Sequence, residues 1–350
     1  MSYDITQRLD TSLDLVEPHL SPALVPSDGF ARIREVAHLL PIFAVDFFGF
    51  ECRLSEDAAA TDCAINLTPD GAKMLAGRHS VPLPQALQQG AWERIREFYA
   101  TWADTNTTPY ADAGSTWLEF DMSGSEPAPN LLFGYWPQRS ELRSPEWLAD
   151  TIIPRLMGEP LAPAFRRNLL RCLAVRPPVT DDFQIGVMFS RKIQAVRLCV
   201  FDLPQAEIFP YLERIGWQGP KHELQAWMEG LRQHSDFVGL HLDIGADVYP
   251  HIGIEPNFVA GCWSRQPHKE PRWHGQFQYL LDLGLLAPAK KEALLSWIGH
   301  QSLSNGEQET LLLRGLSHLK VVLRPGRPAL AKAYFGLAHR TLGVAASHAS

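Results

Sequence analysis

The chain has 350 residues, of which 45% are hydrophobic and 20% are charged, so it can bury a large core in one domain or two. Its formal net charge of −7 argues against a general nucleic-acid-binding surface. We find no apolar run of about 18 residues and no signal-peptide pattern, so we expect a cytoplasmic protein without a membrane partner. The five cysteines are scattered without CxxC spacing, which predicts reduced thiols rather than disulfides or a zinc site.

Helical and strand patterns alternate along the chain. Apolar residues at helical spacing predict two N-terminal helices, over 5–15 and 27–40. Period-two alternation predicts strands in pairs. The pairs are 48–54 with 63–67, 117–122 with 131–136, 183–190 with 196–201, 238–245 with 250–255, and the two arms of the hairpin 315–337. Helical stretches are predicted between them, after 69 and at 85–104, 145–157, 163–175, 205–215, 222–234, 271–286 and 290–300.

This order is a fivefold repeat of helix, helix, strand, strand. Two helices between successive hairpins return the chain to the same end of the sheet, so each new hairpin can join it in antiparallel fashion. Ten such strands leave two open edges, and closure into a barrel removes them. We therefore predict an α+β fold: five ααββ repeats that form a ten-stranded antiparallel β-barrel surrounded by helices. A single domain over 1–340 and a flexible C-terminal tail over 341–350 complete the prediction.

The two faces of the predicted strands differ in polarity. One face is apolar and should meet the helices, whereas the other should line the lumen, which is wider than that of an eight-stranded barrel. The predicted lumen residues are Glu51, Arg53, Asn66, Glu119, Asp121, Tyr135, Gln184, Arg197, His241, Asp243, His251, Glu255, His318, Lys320, Lys332 and Tyr334. An open sheet with a solvated polar face is the alternative.

The last hairpin carries the most basic wall of a lumen that we otherwise expect to be acidic. Its arms flank an Arg-Pro-Gly-Arg-Pro turn, and Pro-Gly is a strong turn signal. Lys320, Lys332 and Tyr334 point to the polar side of their strands. Taken alone, the hairpin is interpreted as a surface hairpin with its lysines in water. As the fifth repeat, it places them inside the barrel.

Five ααββ units around a ten-stranded barrel resemble the ABBA prenyltransferases, also called PT barrels. Within the hairpin, Lys332-Ala333-Tyr334-Phe335 is similar to the Lys-x-Tyr-Phe strands that bind diphosphate in the indole enzymes of that family. The corresponding second strands of other repeats read FGYW from 133, RLCV from 197 and GIEP from 253, so the basic motif is complete once. The resemblance implies a prenyl diphosphate co-substrate, dimethylallyl or geranyl.

The resemblance also suggests roles for the lumen residues. Basic groups in a low-dielectric chamber stabilise a departing diphosphate, aromatic faces shield an allylic cation, and a carboxylate can take the acceptor's proton. The candidate diphosphate ligands are Arg53, Arg197, Lys320, Lys332 and Tyr334. The candidate catalytic carboxylates are Glu119 first and Asp121 second. The candidate prenyl and acceptor pocket comprises Trp117, Phe133, Tyr135, Phe201, His241, Asp243 and Glu255.

Several alternatives stay open at this point. Each lumen carboxylate could instead be part of an ion pair, and several together could favour a cationic acceptor or a Mg²⁺ ion held with diphosphate. His241, His251 and His318 could bind a metal, although they lack the HxxxH spacing of helical sites. The function that we expect is prenyl transfer to a Trp, Tyr or Arg side chain of a ribosomal peptide. A small aromatic acceptor, or a non-catalytic barrel that binds a peptide or small cation, are the rivals.

Overall fold

The computed structural model describes residues 7–55, 61–104, 116–124, 128–135, 144–176, 183–191, 193–259, 261–304 and 309–341. Its strands are β1 Val45–Arg53, β2 Thr61–Leu67, β3 Trp117–Phe120, β4 Pro129–Tyr135, β5 Phe183–Val187, β6 Ala195–Leu203, β7 Phe237–Gly245, β8 Ile252–Asn257, β9 Gly299–Ser304, β10 Glu309–Arg324 and β11 Arg327–Thr341. The predicted tail at 342–350 lies outside the described residues.

Ten of these strands close into an antiparallel barrel. Each strand from β1 to β7 pairs with the strand that follows it in the chain. The barrel is completed by the pairs β8–β10, β10–β11 and β11–β1. Closure leaves no barrel strand with an unpaired edge, which confirms the predicted fold class. The strand β9 was not predicted. It extends the sheet by pairing with the first half of β10, beyond the closed part of the barrel.

Helices connect the successive hairpins. They are α1 Asp10–Val16, α2 Ser27–Ala37, α3 Pro69–Leu75, α4 Ala91–Asp104, α5 Pro145–Trp147, α6 Ile153–Met157, α7 Pro163–Ala174, α8 Gln205–Arg214, α9 Lys221–Leu231, α10 Arg272–Asp282 and α11 Pro288–Trp297. A π-helical turn, Leu148–Ile152, joins α5 to α6. In the described part of the chain, no helix is both long and apolar enough to cross a membrane.

The hydrophobic core lies between the barrel and the helices. Phe48, Phe50 and Phe335 of neighbouring strands are almost fully buried there, as are Trp217 and Trp297. The apolar face of the strands therefore points outward, as alternation predicted. The polar face is left to line the interior.

Two aromatic residues predicted for the lumen lie in this core instead. Phe133 is fully buried and its ring packs 4.8 Å from that of Phe98 on α4. Tyr135 is also fully buried in the outer core. Their placement in the lumen was wrong because Leu132, which precedes Phe133 and pairs in register with Trp117, takes the inward face of β4. Since every residue of β4 is buried, its sequence shows no alternation of polar and apolar residues that would reveal which side chains point into the lumen.

One end of the barrel is filled by aromatic side chains. The ring of Phe47 lies 5.8 Å from that of Trp117 and 5.8 Å from that of Trp263, in a short helical turn before α10. Gln266 holds this turn by accepting from the backbone N–H of Leu316 and donating to its carbonyl, both at 2.8 Å. The interior therefore opens at the opposite end, where the strand pairs turn.

Candidate functional site

A chamber of about 450 Å³ occupies the open half of the barrel. Six basic and five acidic side chains are among the described residues that line it. The basic ones are Arg53, Arg191, Arg197, Lys320, Arg324 and Lys332; the acidic ones are Glu51, Asp62, Glu119, Asp121 and Asp243. The lumen is thus not the predominantly acidic one that we expected.

Lys332 belongs to a neutralised cluster across β1 and β11. Its ammonium group donates to Oε1 of Glu51, whose Oε2 accepts from the hydroxyl of Tyr334. Burial alone would raise the pKa of Glu51, but the nearby charges of Lys332 and Lys320 lower it to about 2. Glu51 is therefore ionised at neutral pH, and it balances the charge of Lys332.

Arg197 is likewise neutralised, by a carboxylate on the adjacent strand. Its guanidinium group donates to both oxygens of Asp243, at 3.0 and 3.3 Å. His251 lies 2.8 Å from the same carboxylate. Burial opposes the ionised form, but Arg197 and His251 hold the pKa of Asp243 well below its usual range. Such a bidentate pair is rigid, and it fixes the wall between β6 and β7.

Lys320 has a different environment. It is 7% exposed, and its Nζ lies 3.0 Å from Nδ1 of His241. Nε2 of His241 lies 2.8 Å from Glu255, which accepts from Asn257 at 2.7 Å. Burial, followed by the charge of Lys320, lowers the pKa of His241 to about 3, so the imidazole is neutral. It therefore donates from Nε2 to Glu255 and accepts at Nδ1 from Lys320.

The ammonium group of Lys320 consequently has no carboxylate partner among the described residues. Burial, and then the charge of Arg197, lower its pKa. Gly253 makes room for its stem, since a Cβ there would stand 2.7 Å from Cε of Lys320. The fold thus builds a place for a buried cation that an anion in the chamber would stabilise.

Three arginines surround the opening of the chamber. Arg53 lies at the end of β1, Arg191 in the β5–β6 connection and Arg324 at the end of β10. All three side chains are exposed. Burial, followed by the charges of Arg327, Arg53 and Arg191, lowers the pKa of Arg324. Arg191 has a carboxylate neighbour, Asp121, at 3.5 Å.

Two chamber acids hold their protons more tightly than usual. Burial, followed by the charge of Glu51, raises the pKa of Glu119. The same causes raise the pKa of Asp62 to about 6, although its Oδ1 accepts from the backbone N–H of Met122 at 2.8 Å. A third chamber acid, Asp121, lies just after β3 and accepts from the hydroxyl of Ser190 at 2.7 Å.

An apolar floor separates the charged chamber from the closed end of the barrel. It consists of Leu132, Met188 and Cys199, with Trp117 and Phe201 packed against them. The ring of Phe201 also lies 6.0 Å from that of His241, at a right angle to it. This floor is distinct from the outer core and gives the interior its apolar surface.

Nine of the predicted site residues line one chamber. They are Arg53, Glu119, Asp121, Arg197, His241, Asp243, Lys320, Lys332 and Tyr334. Trp117 and Phe201 lie in the floor, Glu255 lies behind His241, and Phe133 and Tyr135 lie outside the barrel wall.

The prediction missed Asp62, Arg191 and Arg324, which also line the chamber. Asp62 is directly opposite Glu51 in the β1–β2 pair, so the strand pattern could have revealed it. Arg191 lies in the β5–β6 connection and Arg324 is the last residue of β10, and alternation carries no signal at such positions.

The chamber does not have the ligand set of a metal site. Within the described ranges, no three His, Cys, Asp or Glu side chains are grouped so as to hold an ion. Glu51 and Asp243 are engaged by lysine, tyrosine, arginine and histidine groups, and Asp121 by Ser190 and Arg191. These three carboxylates are therefore not free to coordinate Mg²⁺.

Solved structures share this architecture. The crystal structure of 5-dimethylallyltryptophan synthase from Streptomyces coelicolor matches with a TM-score of 0.53 at 12% identity, over 94% of this chain and 97% of that one. The crystal structure of AnaPT from Neosartorya fischeri matches with a TM-score of 0.48 at 11% identity, over 87% of this chain and 85% of that one. At such identity the match to the synthase concerns the fold, and it supports the assignment as an ABBA barrel. No protein-family model and no curated protein matches the sequence.

Proposed function

We propose that the protein is a prenyltransferase that moves a dimethylallyl or geranyl group from its diphosphate to an aromatic acceptor. The observation that carries this proposal is Lys320, a buried cation that faces the chamber without a carboxylate partner among the described residues. Its nearest side-chain acceptor is a neutral imidazole, so its charge is available to a bound anion. The ABBA fold shared with a dimethylallyltryptophan synthase supports the same function.

In the proposed reaction, Lys320 and the arginines at the opening bind the diphosphate. Lys332 donates from the adjacent wall, since its ammonium group has donors beyond the one given to Glu51, whereas the single hydroxyl proton of Tyr334 is held by Glu51. The allylic C–O bond breaks, and its electron pair leaves with the diphosphate, whose added charge these groups stabilise. The apolar floor, with Trp117 and Phe201, excludes water and shields the allylic cation.

The acceptor ring then attacks the cation, and a C–C bond forms. Restoring aromaticity requires loss of a ring proton, for which Glu119 is the proposed base. Its carboxylate faces the chamber without the strong ion pair that engages Glu51 or Asp243. Because burial raises its pKa, the ionised form is a better proton acceptor than an exposed glutamate would be.

The charge of the opening favours an aromatic acceptor over the arginine side chain that the sequence left open. Arg53, Arg191 and Arg324 would repel a guanidinium group on its way into the chamber. We therefore propose a tryptophan or tyrosine side chain of a peptide as the acceptor. A small aromatic metabolite remains the alternative.

The test is incubation with dimethylallyl or geranyl diphosphate and a panel of Trp, Tyr and Arg peptides, with free tryptophan included. We expect mass spectrometry to show addition of one prenyl unit to a Trp or Tyr acceptor, with and without EDTA. Glu119→Gln should lower kcat by about 100-fold or more while diphosphate binding persists.

Two results would contradict the proposal. Diphosphate binding without any prenylated product would indicate a non-catalytic barrel. Complete loss of activity in EDTA, restored by Mg²⁺, would contradict the proposal that basic side chains alone bind the diphosphate.

A further inference from the structure

A second cavity, of about 460 Å³, lies beside the chamber opening. It is bounded by the start of α4, the end of α6 and the segment from the end of β5 to the start of β6. Arg191 and Ile193 line both this cavity and the chamber. The two spaces are therefore on opposite sides of the same short segment.

Apolar side chains form part of the lining of the second cavity, beside the polar Arg94, Arg191 and Gln194. Met157, Met188 and Phe189 contribute to it, and methionine side chains fit varied apolar shapes. The guanidinium group of Arg94 is held by the carbonyl oxygens of Leu156 and Met157, at 3.2 and 3.0 Å. It also lies 5.7 Å from the ring of Phe189, so it serves as part of the wall.

Met188 is shared by the second cavity and the floor of the reaction chamber. It packs into the apolar floor with Leu132 and Cys199, and it also lines the second cavity. A ligand that fills the second cavity would therefore press on a residue that shapes the floor. Small-molecule sites in proteins commonly occupy 300–1,000 Å³, so either space is large enough for one ligand group.

We propose that the second cavity binds the apolar side chain next to the prenylated residue of a peptide acceptor. This inference rests on the proposed function. The reacting ring and the prenyl diphosphate occupy the chamber, so the rest of the bound acceptor extends out through the opening, past Arg191 and Ile193. A neighbouring apolar side chain then reaches the second cavity and is removed from water there. The acceptor is thus peptide-like, with an apolar residue beside the aromatic one.

The test compares peptides that differ in one residue beside a central tryptophan. Leucine or glycine is placed on its N-terminal or C-terminal side, and free tryptophan is included. Burying a leucine side chain should raise kcat/KM roughly tenfold or more over glycine on one of the two sides. Equal values for leucine and glycine on both sides would overturn the inference while leaving prenyl transfer intact.

A filled cavity provides the second measurement. Ala91 lines the cavity in the first turn of α4, and Ala91→Trp should reduce the leucine-to-glycine ratio of kcat/KM to about 1–3. Ala289 is exposed in the first turn of α11, so Ala289→Trp is a matched control that should keep the wild-type ratio. An unchanged ratio in Ala91→Trp would overturn the inference. Absence of any prenylated product from wild-type protein would instead refute the proposed function on which it rests.

Discussion

The two inward-facing lysines of the last hairpin show how neighbours decide what a residue can do. Lys320 and Lys332 are directly opposite each other on β10 and β11, an unfavourable arrangement for like charges. Glu51 of β1 neutralises Lys332, whereas Lys320 is left with the neutral His241. Lys320 is therefore the stronger candidate for binding an anion, although the two lysines look equivalent in the sequence.

Substituting each lysine should separate these roles. Lys320→Ala should weaken diphosphate binding by about 10- to 100-fold with little loss of stability, because it removes a buried, unneutralised cation. Lys332→Ala should lower the free energy of unfolding by about 3–5 kcal/mol, because it leaves the charge of Glu51 buried without its ion pair. Calorimetry with diphosphate and chemical denaturation measure the two effects. A Kd unchanged within threefold in Lys320→Ala would refute this assignment.

Asp62 should make folding stability depend on pH. Its pKa is raised from 3.8 to about 6, so its favourable contribution is complete below pH of about 4 and is lost as pH rises through 6. An asparagine can still accept from the N–H of Met122. Allowing for solvent screening, Asp62→Asn should gain roughly 1–2 kcal/mol relative to wild type between pH 4 and pH 7.

Denaturation at a series of pH values measures this difference. The exposed Asp247 provides the control, since Asp247→Asn should follow the wild-type pH profile within about 0.5 kcal/mol. A profile for Asp62→Asn parallel to that of wild type would show that Asp62 ionises as an ordinary surface aspartate does.

At the scale of elements, α11 stabilises the seam where the barrel closes. Trp297 is fully buried, with its ring 5.9 Å from that of Phe50 on β1 and 5.5 Å from that of Phe335 on β11. Its indole N–H donates to the carbonyl of Gly336 at 3.2 Å. The helix thereby covers the first and last barrel strands, whose pairing completes the closure.

Removing this ring should destabilise the fold. Trp297→Ala should lower the free energy of unfolding by about 3–5 kcal/mol, since a large buried side chain is replaced by a cavity. Glu292→Ala, at an exposed position of the same helix, should change it by less than about 0.5 kcal/mol. Chemical denaturation distinguishes the two. A loss below about 1 kcal/mol for Trp297→Ala would mean that the seam does not depend on α11.

The elements also show where sequence patterns lose information. The strand β9 has the sequence GHQSLS, without a run of β-branched or aromatic residues, and we predicted a helix through residue 300 where α11 ends at Trp297. This strand is defined by its pairing with β10, which local sequence patterns do not reveal. The assignment of Phe133 and Tyr135 failed for a related reason, because a strand buried on both faces does not show which face is inside.

At the scale of the whole molecule, closure turns a polar sheet face into a chamber with two different ends. Phe47, Trp117 and Trp263 fill one end of the barrel. The other end, where the strand pairs turn, is open and surrounded by arginines. A closed floor and a basic opening together allow an anionic substrate to enter from one side and keep water from the other. Neither property belongs to any single repeat.

The sequence by itself determined the repeat, the barrel and which face of most strands points into the interior. Hydrophobic periodicity is local, and a repeated hairpin with two intervening helices leaves few ways to pair ten strands. This pattern therefore predicted one lumen that contains Arg53, Glu119, Arg197, Lys320 and Lys332. The structure places these five residues in one chamber.

Only the tertiary structure decided which charges are neutralised. Glu51, Arg197 and Asp243 are committed to partners on adjacent strands, while Lys320 receives an uncharged one. These differences depend on register, burial and distances of a few ångströms between strands far apart in sequence. Electrostatic interactions change steeply over such distances in a buried site, so residue type and strand face alone could not supply them.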